Sequence, residues 1–194
     1  KCDTELFCMA NDDLVFLPYC RGFLRQLGSY FQLPEVGAVG PSTNYVMGSQ
    51  SLWDYRGSAV FETTLLIGFF MIVRSSVFAE VGGLDEGLVG GDDLDFSILV
   101  RKGGHKLLVD RTCYVHHIGS QSGRRLAADW WNTAWHIDAT NNALIRKHGV
   151  KAWYETVQSR IGVFEPITQN DDSEGDKIRE WVGELQTGLD VGCG

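Results

Sequence analysis

The stretch Gly82–Phe96, GGLDEGLVGGDDLDF, limits the possible folds of this chain more than any other. It holds five glycines and five carboxylates: Asp85, Glu86, Asp92, Asp93 and Asp95. Glycine loses much backbone entropy on ordering, and clustered carboxylates repel one another. Such a segment belongs at the rim of a core that its neighbours build. Those neighbours are apolar. Thr63–Val73, TTLLIGFFMIV, is β-rich and apolar on both faces, which predicts a central strand covered by helices on both sides. A short helix follows from Ser75 or Ser76 to Val81, closed by Gly82-Gly83. Beyond the acidic loop, Leu94–Lys102 reads as a helix with Phe96, Leu99 and Val100 inward, ended by Gly103-Gly104. Asp92 and Asp93 then lie at a helix N-terminus, where the dipole favours negative charge. Dipole compensation accounts for one or two of the five carboxylates. The others call for a cation or a hydroxyl-bearing substrate.

The rest of the chain supplies an α/β frame. Leu6–Ala10 reads as a short buried strand that ends at Asn11-Asp12-Asp13. Carboxylates just past the carboxyl end of a buried parallel strand lie where open α/β sheets bind ligands. Asp12 or Asp13 can equally cap a following helix. Tyr19–Leu33 places Phe23, Leu24, Leu27, Tyr30 and Phe31 on one helical face, with Arg21 and Arg25 solvated, and Pro34 ends it. Val36–Val39 is a strand broken by Gly40-Pro41, and Ser42–Val60 is a long irregular loop in which Trp53 either stacks on a sugar or anchors the loop. Lys106–Val109 and Thr112–His117 are strands. Alternation sends His116 and His117 to opposite faces, so at most one of them enters a shared site. Gly119–Arg125, GSQSGRR, is a basic loop suited to cover phosphates, with Arg124 the candidate contact, or else a solvated linker. Leu126–His148 is an amphipathic helix with Trp130, Ala134, Ile137, Asn141 and Leu144 at helical spacing, and Lys151–Ile161 is a second helix. Pro166–Gly175 is an acidic linker, Asp176–Leu185 another helix.

Composition removes several classes of function. A net charge of −8 argues against generic nucleic-acid binding, but leaves a nucleotide ligand open because a divalent cation can mask the repulsion. The apolar run Leu65–Val73 is too short to span a bilayer. The five cysteines are odd in number and irregularly spaced, which favours reduced thiols and a cytoplasmic setting. Cys113-x-x-His116 has the spacing of half a zinc site but no second half, so Cys113 reads as a core residue.

Three motifs therefore stand in order: NDD after a strand, GGLDEG followed by GGDDLDF at a helix start, and VHHIGS after a late strand. Together with the VGPSTNY segment (Val39–Tyr45), they resemble family 2 glycosyltransferases of the GT-A fold, over about Cys2 to Ser122. The resemblance implies a Rossmann-like mixed sheet flanked by helices. It also implies transfer of a sugar from a nucleoside-diphosphate-sugar to the hydroxyl of a glycan or other acceptor, with inversion by in-line attack. A hard divalent cation, Mn²⁺ or Mg²⁺, would neutralise the departing diphosphate. In that scheme Asp13 is a metal ligand with His116 as its partner. Asn11, Asp12, Asp13 and Arg124 face the nucleotide-sugar. Asp93 is the base, Asp92 orients the acceptor or shares that role, and Asp85, Glu86 and Trp53 contact the acceptor. The family has Glu-Asp where this chain has Asp92-Asp93.

The strands that in this family precede the NDD motif do not precede it here. The expectation is that residues 1–125 form the acceptor and metal half of such a domain, with the nucleotide-binding half missing from this chain. Residues 126–165 would be a helical extension, and 166–194 a linker, a helix and the start of another domain. The closing LDVGCG resembles the glycine-rich opening of S-adenosylmethionine-dependent methyltransferases. Two other readings of the acids are a metal-dependent nucleotidyltransferase and a non-catalytic carbohydrate-binding remnant.

Overall fold

A computed structural model describes residues 4–18, 22–46, 48–53, 59–119 and 134–161. Arg124, Trp130, most of the basic loop, the acidic linker, the helix expected at Asp176–Leu185 and the terminal LDVGCG fall outside the described residues. All described residues lie within one compact unit, Lys1–Val163.

The chain runs β1 (Leu6–Ala10), β2 (Leu14–Val15), α1 (Phe23–Ser29), a 3₁₀ turn (Tyr30–Gln32), β3 (Val36–Ser42), β4 (Val60–Thr63), β5 (Phe70–Arg74), α2 (Ser75–Glu80), α3 (Asp92–Lys102), β6 (Lys106–Tyr114), β7 (His116–His117), α4 (Ala134–His148) and α5 (Val150–Ile161). Five strands form a sheet in the order β1-β5-β3-β6-β4, and β2 pairs with β7 in a separate two-stranded sheet. β3 and β6 are parallel; β5 is antiparallel to both β1 and β3, and β4 is antiparallel to β6. This is a mixed sheet with helices on both faces, the fold class expected.

Side-chain alternation divides the core. Phe70 and Ile72 of β5, Val39 of β3 and Leu108 of β6 point to one face, with Leu27 and Phe31. Met71 and Val73, Ala38, Leu107 and Val109 point to the other, with Val77, Phe96 and Val100 of α2 and α3. The period of two in strands meets the helical period of α3 there. Phe70 and Phe96 are almost wholly buried, each worth about 1.5–3 kcal/mol of burial. A third cluster, Leu65, Leu94 and Leu144, seats α4, with Trp153 and Val157 of α5 against it.

Several expected elements change. The apolar run at Thr63–Val73 is not one strand. It is the end of β4, a connection at Thr64–Phe69, and β5. β1 is half-buried rather than buried, and among the described residues it is an edge strand whose only neighbour in the sheet runs antiparallel to it. Gly40-Pro41 does not break β3. In the register, β5 faces β3 only at Ala38 and Val39, so the missing Pro41 N–H costs no bond to β5. The buried Gln50 amide fills the space beside Gly40, where a Cβ would come within 2.4 Å of Nε2, and donates to the Pro41 carbonyl at 3.1 Å. Leu24 and Ile137, expected inward, are about half exposed. The late strand Thr112–His117 divides into the end of β6 and the separate β7.

Buried Asp110 on β6 locks the α1 side to the sheet. It accepts hydrogen bonds from Gln26 Nε2 (2.8 Å), Tyr30 Oη (2.8 Å), and the Thr112 amide (2.9 Å) and hydroxyl (2.7 Å). Burial alone would raise the Asp110 pKa, but these donors outweigh it and hold the pKa below the usual carboxylate value. The Tyr30 phenol moves the other way, pushed up to about 12 by burial and by the Asp110 carboxylate.

Candidate active site

β1, β3 and β6 run in the same direction, so their carboxyl ends share one edge of the sheet, and antiparallel β5 starts at that edge. Open α/β sheets bind ligands at such an edge. The first group there comes from the turn after β1. The Asn11 amide donates to the Phe69 carbonyl at 2.9 Å, tying this turn to the segment that enters β5. Asp13 points at the imidazole of His117, with Oδ1 3.2 Å from Nε2. Both side chains are almost buried, 11% and 9% exposed. Asn11 Nδ2 lies 3.4 Å from the same Nε2.

The position and tautomer of His117 are set by its surroundings. Its Nδ1 lies 2.9 Å from the Tyr45 carbonyl, which can only accept, so the proton is on Nδ1 and Nε2 presents a lone pair when the ring is neutral. The ring stacks on Phe69 at 5.4 Å and 18°, and meets Tyr45 edge-on at 5.7 Å. Asn44 clasps the His117 peptide from both sides. It accepts from the His117 amide at 2.9 Å and donates to the His117 carbonyl at 3.1 Å. Gly119, at φ +81°, lets the chain leave past the Tyr45 ring, where any Cβ would come within 2.1 Å of a ring carbon.

Asp13 Oδ1 is buried and accepts no hydrogen bond. Facing His117 Nε2, whose lone pair also has the Asn11 side-chain amide as a donor at 3.4 Å, it makes a pair of acceptors that a shared proton or a cation between them would satisfy. An imidazole whose far nitrogen is held by a backbone carbonyl is the usual arrangement of a metal-binding histidine. The donor set therefore fits a divalent ion held by one carboxylate and one imidazole, with its remaining ligands drawn from substrate or water. Among the described residues no group of three or more His, Cys, Asp or Glu could hold a metal unaided.

His116, expected beside Asp13, turns away. Its Nδ1 meets the Tyr114 hydroxyl at 2.9 Å, and burial, with His117 close by, holds its pKa below the usual histidine value. The alternation argument stands, with His117 as the inward residue. Asn44, Tyr45, Gly68 and Phe69 were not picked out by pattern. The only signal was the Asn44-Tyr45 pair directly after the strand end of VGPSTNY.

The second group is at the start of α3. Asp93 Oδ2 accepts from the Gly68 amide at 3.1 Å and Oδ1 from the Leu94 amide at 2.8 Å. These bonds orient the carboxylate. Gly91 caps the helix in the left-handed region, pressed against α4, where a Cβ would lie 2.7 Å from Thr140 Cγ2. Asp92 is exposed beside it, as are Glu86, Asp12 and Asn11. Trp53 is half-buried just past the Thr43–Ser51 bridge, and its amide donates to Ser51 Oγ at 3.3 Å. Asp85 is bound to Lys147 at 2.6 Å, which with the Gly87 amide holds its pKa below the usual carboxylate value.

No helix among the described residues is long and apolar enough to cross a membrane. No protein-family model matches the chain, and no curated protein matches it. Among solved structures, a mannosyltransferase from Pyrobaculum calidifontis, PcManGT in complex with GDP-Man and Mn²⁺, superposes with a TM-score of 0.55 at 14% identity. The match covers 93% of this chain and 52% of that one, so the chain spans about half the length of the enzyme. The likeness is one of fold: the chain has a glycosyltransferase-like mixed α/β fold.

Proposed function

We propose that this chain carries the metal and acceptor side of a glycosyltransferase that moves a sugar from a nucleoside-diphosphate-sugar to an acceptor hydroxyl with inversion. The observation that carries the reading is the unpartnered buried Asp13 Oδ1 facing His117 Nε2 at 3.2 Å, at the carboxyl edge of a glycosyltransferase-like sheet. The fold neighbour was solved with GDP-Man and Mn²⁺, a ligand pair of the class this donor set would take. Asp13 and His117 would hold the cation, Mn²⁺ or Mg²⁺, which when bound offsets charge on the leaving diphosphate. Asn11 and Asp12, exposed on the same turn, and Arg124 on the basic loop would contact the nucleotide-sugar. Asp93, oriented by the Gly68 and Leu94 amides, would take the proton from the acceptor hydroxyl. Asp92, Asp85, Glu86 and Trp53 would meet the acceptor, a glycan or other alcohol. Family 2 membership, a cytoplasmic setting and attachment to further domains complete the reading.

Titration calorimetry of the complete domain with nucleoside diphosphates, with and without Mn²⁺ or Mg²⁺, tests this. Binding should require the metal and be lost in Asp13→Ala and His117→Ala. His116→Ala should keep it. Metal-independent binding, or equal affinity in Asp13→Ala, overturns the assignment.

A further inference from the structure

The acidic loop between α2 and α3 is fastened to the last turn of α4 by a chain of charges of which the reaction scheme above uses only Asp85. Lys147 Nζ bridges two carboxylates, Asp85 on the loop at 2.6 Å and Asp95 on α3 at 3.0 Å. Asp95 is fully buried, and its other oxygen meets His148 Nε2 at 2.5 Å. The far nitrogen of that ring lies 3.1 Å from Lys102 Nζ. An ammonium can only donate, so Nδ1 accepts and the proton is on Nε2, pointing at Asp95. The imidazole is then neutral. Two ammoniums, Lys102 and Lys147, balance two carboxylates, Asp85 and Asp95. Among the described residues, the one cation touching both carboxylates is Lys147.

An exposed ion pair is worth little, and the Lys147–Asp85 pair taken alone is of that kind, both side chains being about one-third exposed. The second partner changes the case. Asp95 has no contact with water, so Lys147 is held in place by a charge that cannot be solvated instead. That fixed ammonium is a rigid anchor for the loop. The loop also closes on itself, with the Gly87 amide on Asp85 Oδ1 at 2.9 Å and the Leu88 amide on the Asp85 carbonyl at 3.2 Å. It then runs through Gly91 directly into Asp92 and Asp93. The same lysine therefore sets where the loop lies relative to the helix end that carries Asp93.

We propose that Lys147 is a positioning residue. It holds the Asp85 loop in one arrangement against the start of α3, so that the acceptor side of the site is formed before an acceptor arrives. This rests on the reading that the loop faces the acceptor. It separates Lys147 from the donor side, whose groups come from the turn after β1 and from β7.

The test compares the full chain with Lys147→Gln and Lys147→Arg. Hydrogen exchange read peptide by peptide should show residues 84–91 exchanging about tenfold faster in Lys147→Gln, the effect of losing one charge-assisted hydrogen bond. Residues 6–10 and 106–117 should be unchanged. In sugar transfer, the acceptor KM should rise about tenfold while the donor KM stays within about twofold, and Lys147→Arg should restore both readouts. Unchanged exchange in residues 84–91 overturns the proposal. So does a loosened loop with an unchanged acceptor KM, which would make the contact purely structural. If the wild-type chain by itself transfers no sugar, as expected of the acceptor half alone, the exchange result decides whether Lys147 holds the loop.

Discussion

Asn44→Ala tests how the candidate site is built, independently of any ligand. Asn44 is 6% exposed, and its amide is the partner of both polar groups of the His117 peptide. Its Oδ1 also accepts from Thr43 Oγ1 at 3.2 Å and, at 3.4 Å, from Tyr114. Alanine would leave one buried N–H and one buried C=O without partners. Each costs about 1–3 kcal/mol, so the variant should lose about 2–6 kcal/mol, less if a water enters the space. In a chain of this size that is a fall in Tm of about 4–24 °C. Tyr114→Phe removes the long contact to Asn44 and the bond to His116, and should cost about 1 kcal/mol or less. Urea and thermal unfolding followed by circular dichroism give the stability. Nitrogen-15 shifts of the His117 ring give its tautomer, which should be Nδ1–H in the wild type and mixed in Asn44→Ala. A stability within about 0.5 kcal/mol of wild type, the range of an ordinary surface change, would refute the argument that Asn44 holds the His117 strand.

Two further outcomes follow from other residues. The Tyr30 phenol is pushed up to about 12 in the folded chain from an ordinary value of 10.0, so the folded state keeps its proton longer than the unfolded chain does. Its contribution is complete below pH 10 and is lost as pH rises through about 12, so the alkaline fall in Tm should be shallower in Tyr30→Phe than in wild type; equal slopes would remove Tyr30 from the linkage. On the reaction itself, Asp93→Asn should lower turnover by about two to four orders of magnitude with donor binding intact, and Asp92→Asn should cost less; the reverse order, read from steady-state rates, would move the base to Asp92.

Much of the frame was legible because burial writes a period into the sequence. The two-sided apolar run marked β5, and the glycine pairs at Gly82-Gly83 and Gly103-Gly104 marked the ends of α2 and α3, where Gly82, Gly83 and Gly104 take positive φ. The extent of that run was not legible, because the connection at Thr64–Phe69 is as apolar as the strand it feeds. Leu65, Leu66 and Phe69 are buried there without being in a strand. The local pattern of Gly40-Pro41 signals a break, whereas the strand continues because Gln50, nine residues on, satisfies the Pro41 carbonyl. At the site, alternation correctly separated the two histidines but could not say which one faced inward. That depends on Phe69, Tyr45 and Asn44, all distant in sequence from His117. The acids were likewise visible as a cluster, yet Asp85 and Asp95 are engaged by Lys147 and His148 on α4, a pairing that spacing within the loop cannot reveal.

The segment Gly68-Phe69 joins the two sides of the candidate site. Its Gly68 amide donates to Asp93, its Phe69 carbonyl accepts from Asn11, and the Phe69 ring supports His117. Gln50 fixes the same segment from below, accepting from the Ile67 amide at 2.7 Å while its Nε2 donates to Pro41 at the end of β3. The carboxylate assigned to the acceptor and the imidazole assigned to the cation are thus mounted on one short piece of backbone, itself tied to the sheet edge. In-line transfer requires the attacking oxygen and the leaving phosphate to be held in register on opposite sides of one sugar carbon, and a shared rigid mount shortens the path over which that register can be lost. The same connection explains why an apolar segment is left out of the strand. Its Phe69 carbonyl extends the β1–β5 pairing to Asn11, whereas its Gly68 amide turns to Asp93 on α3.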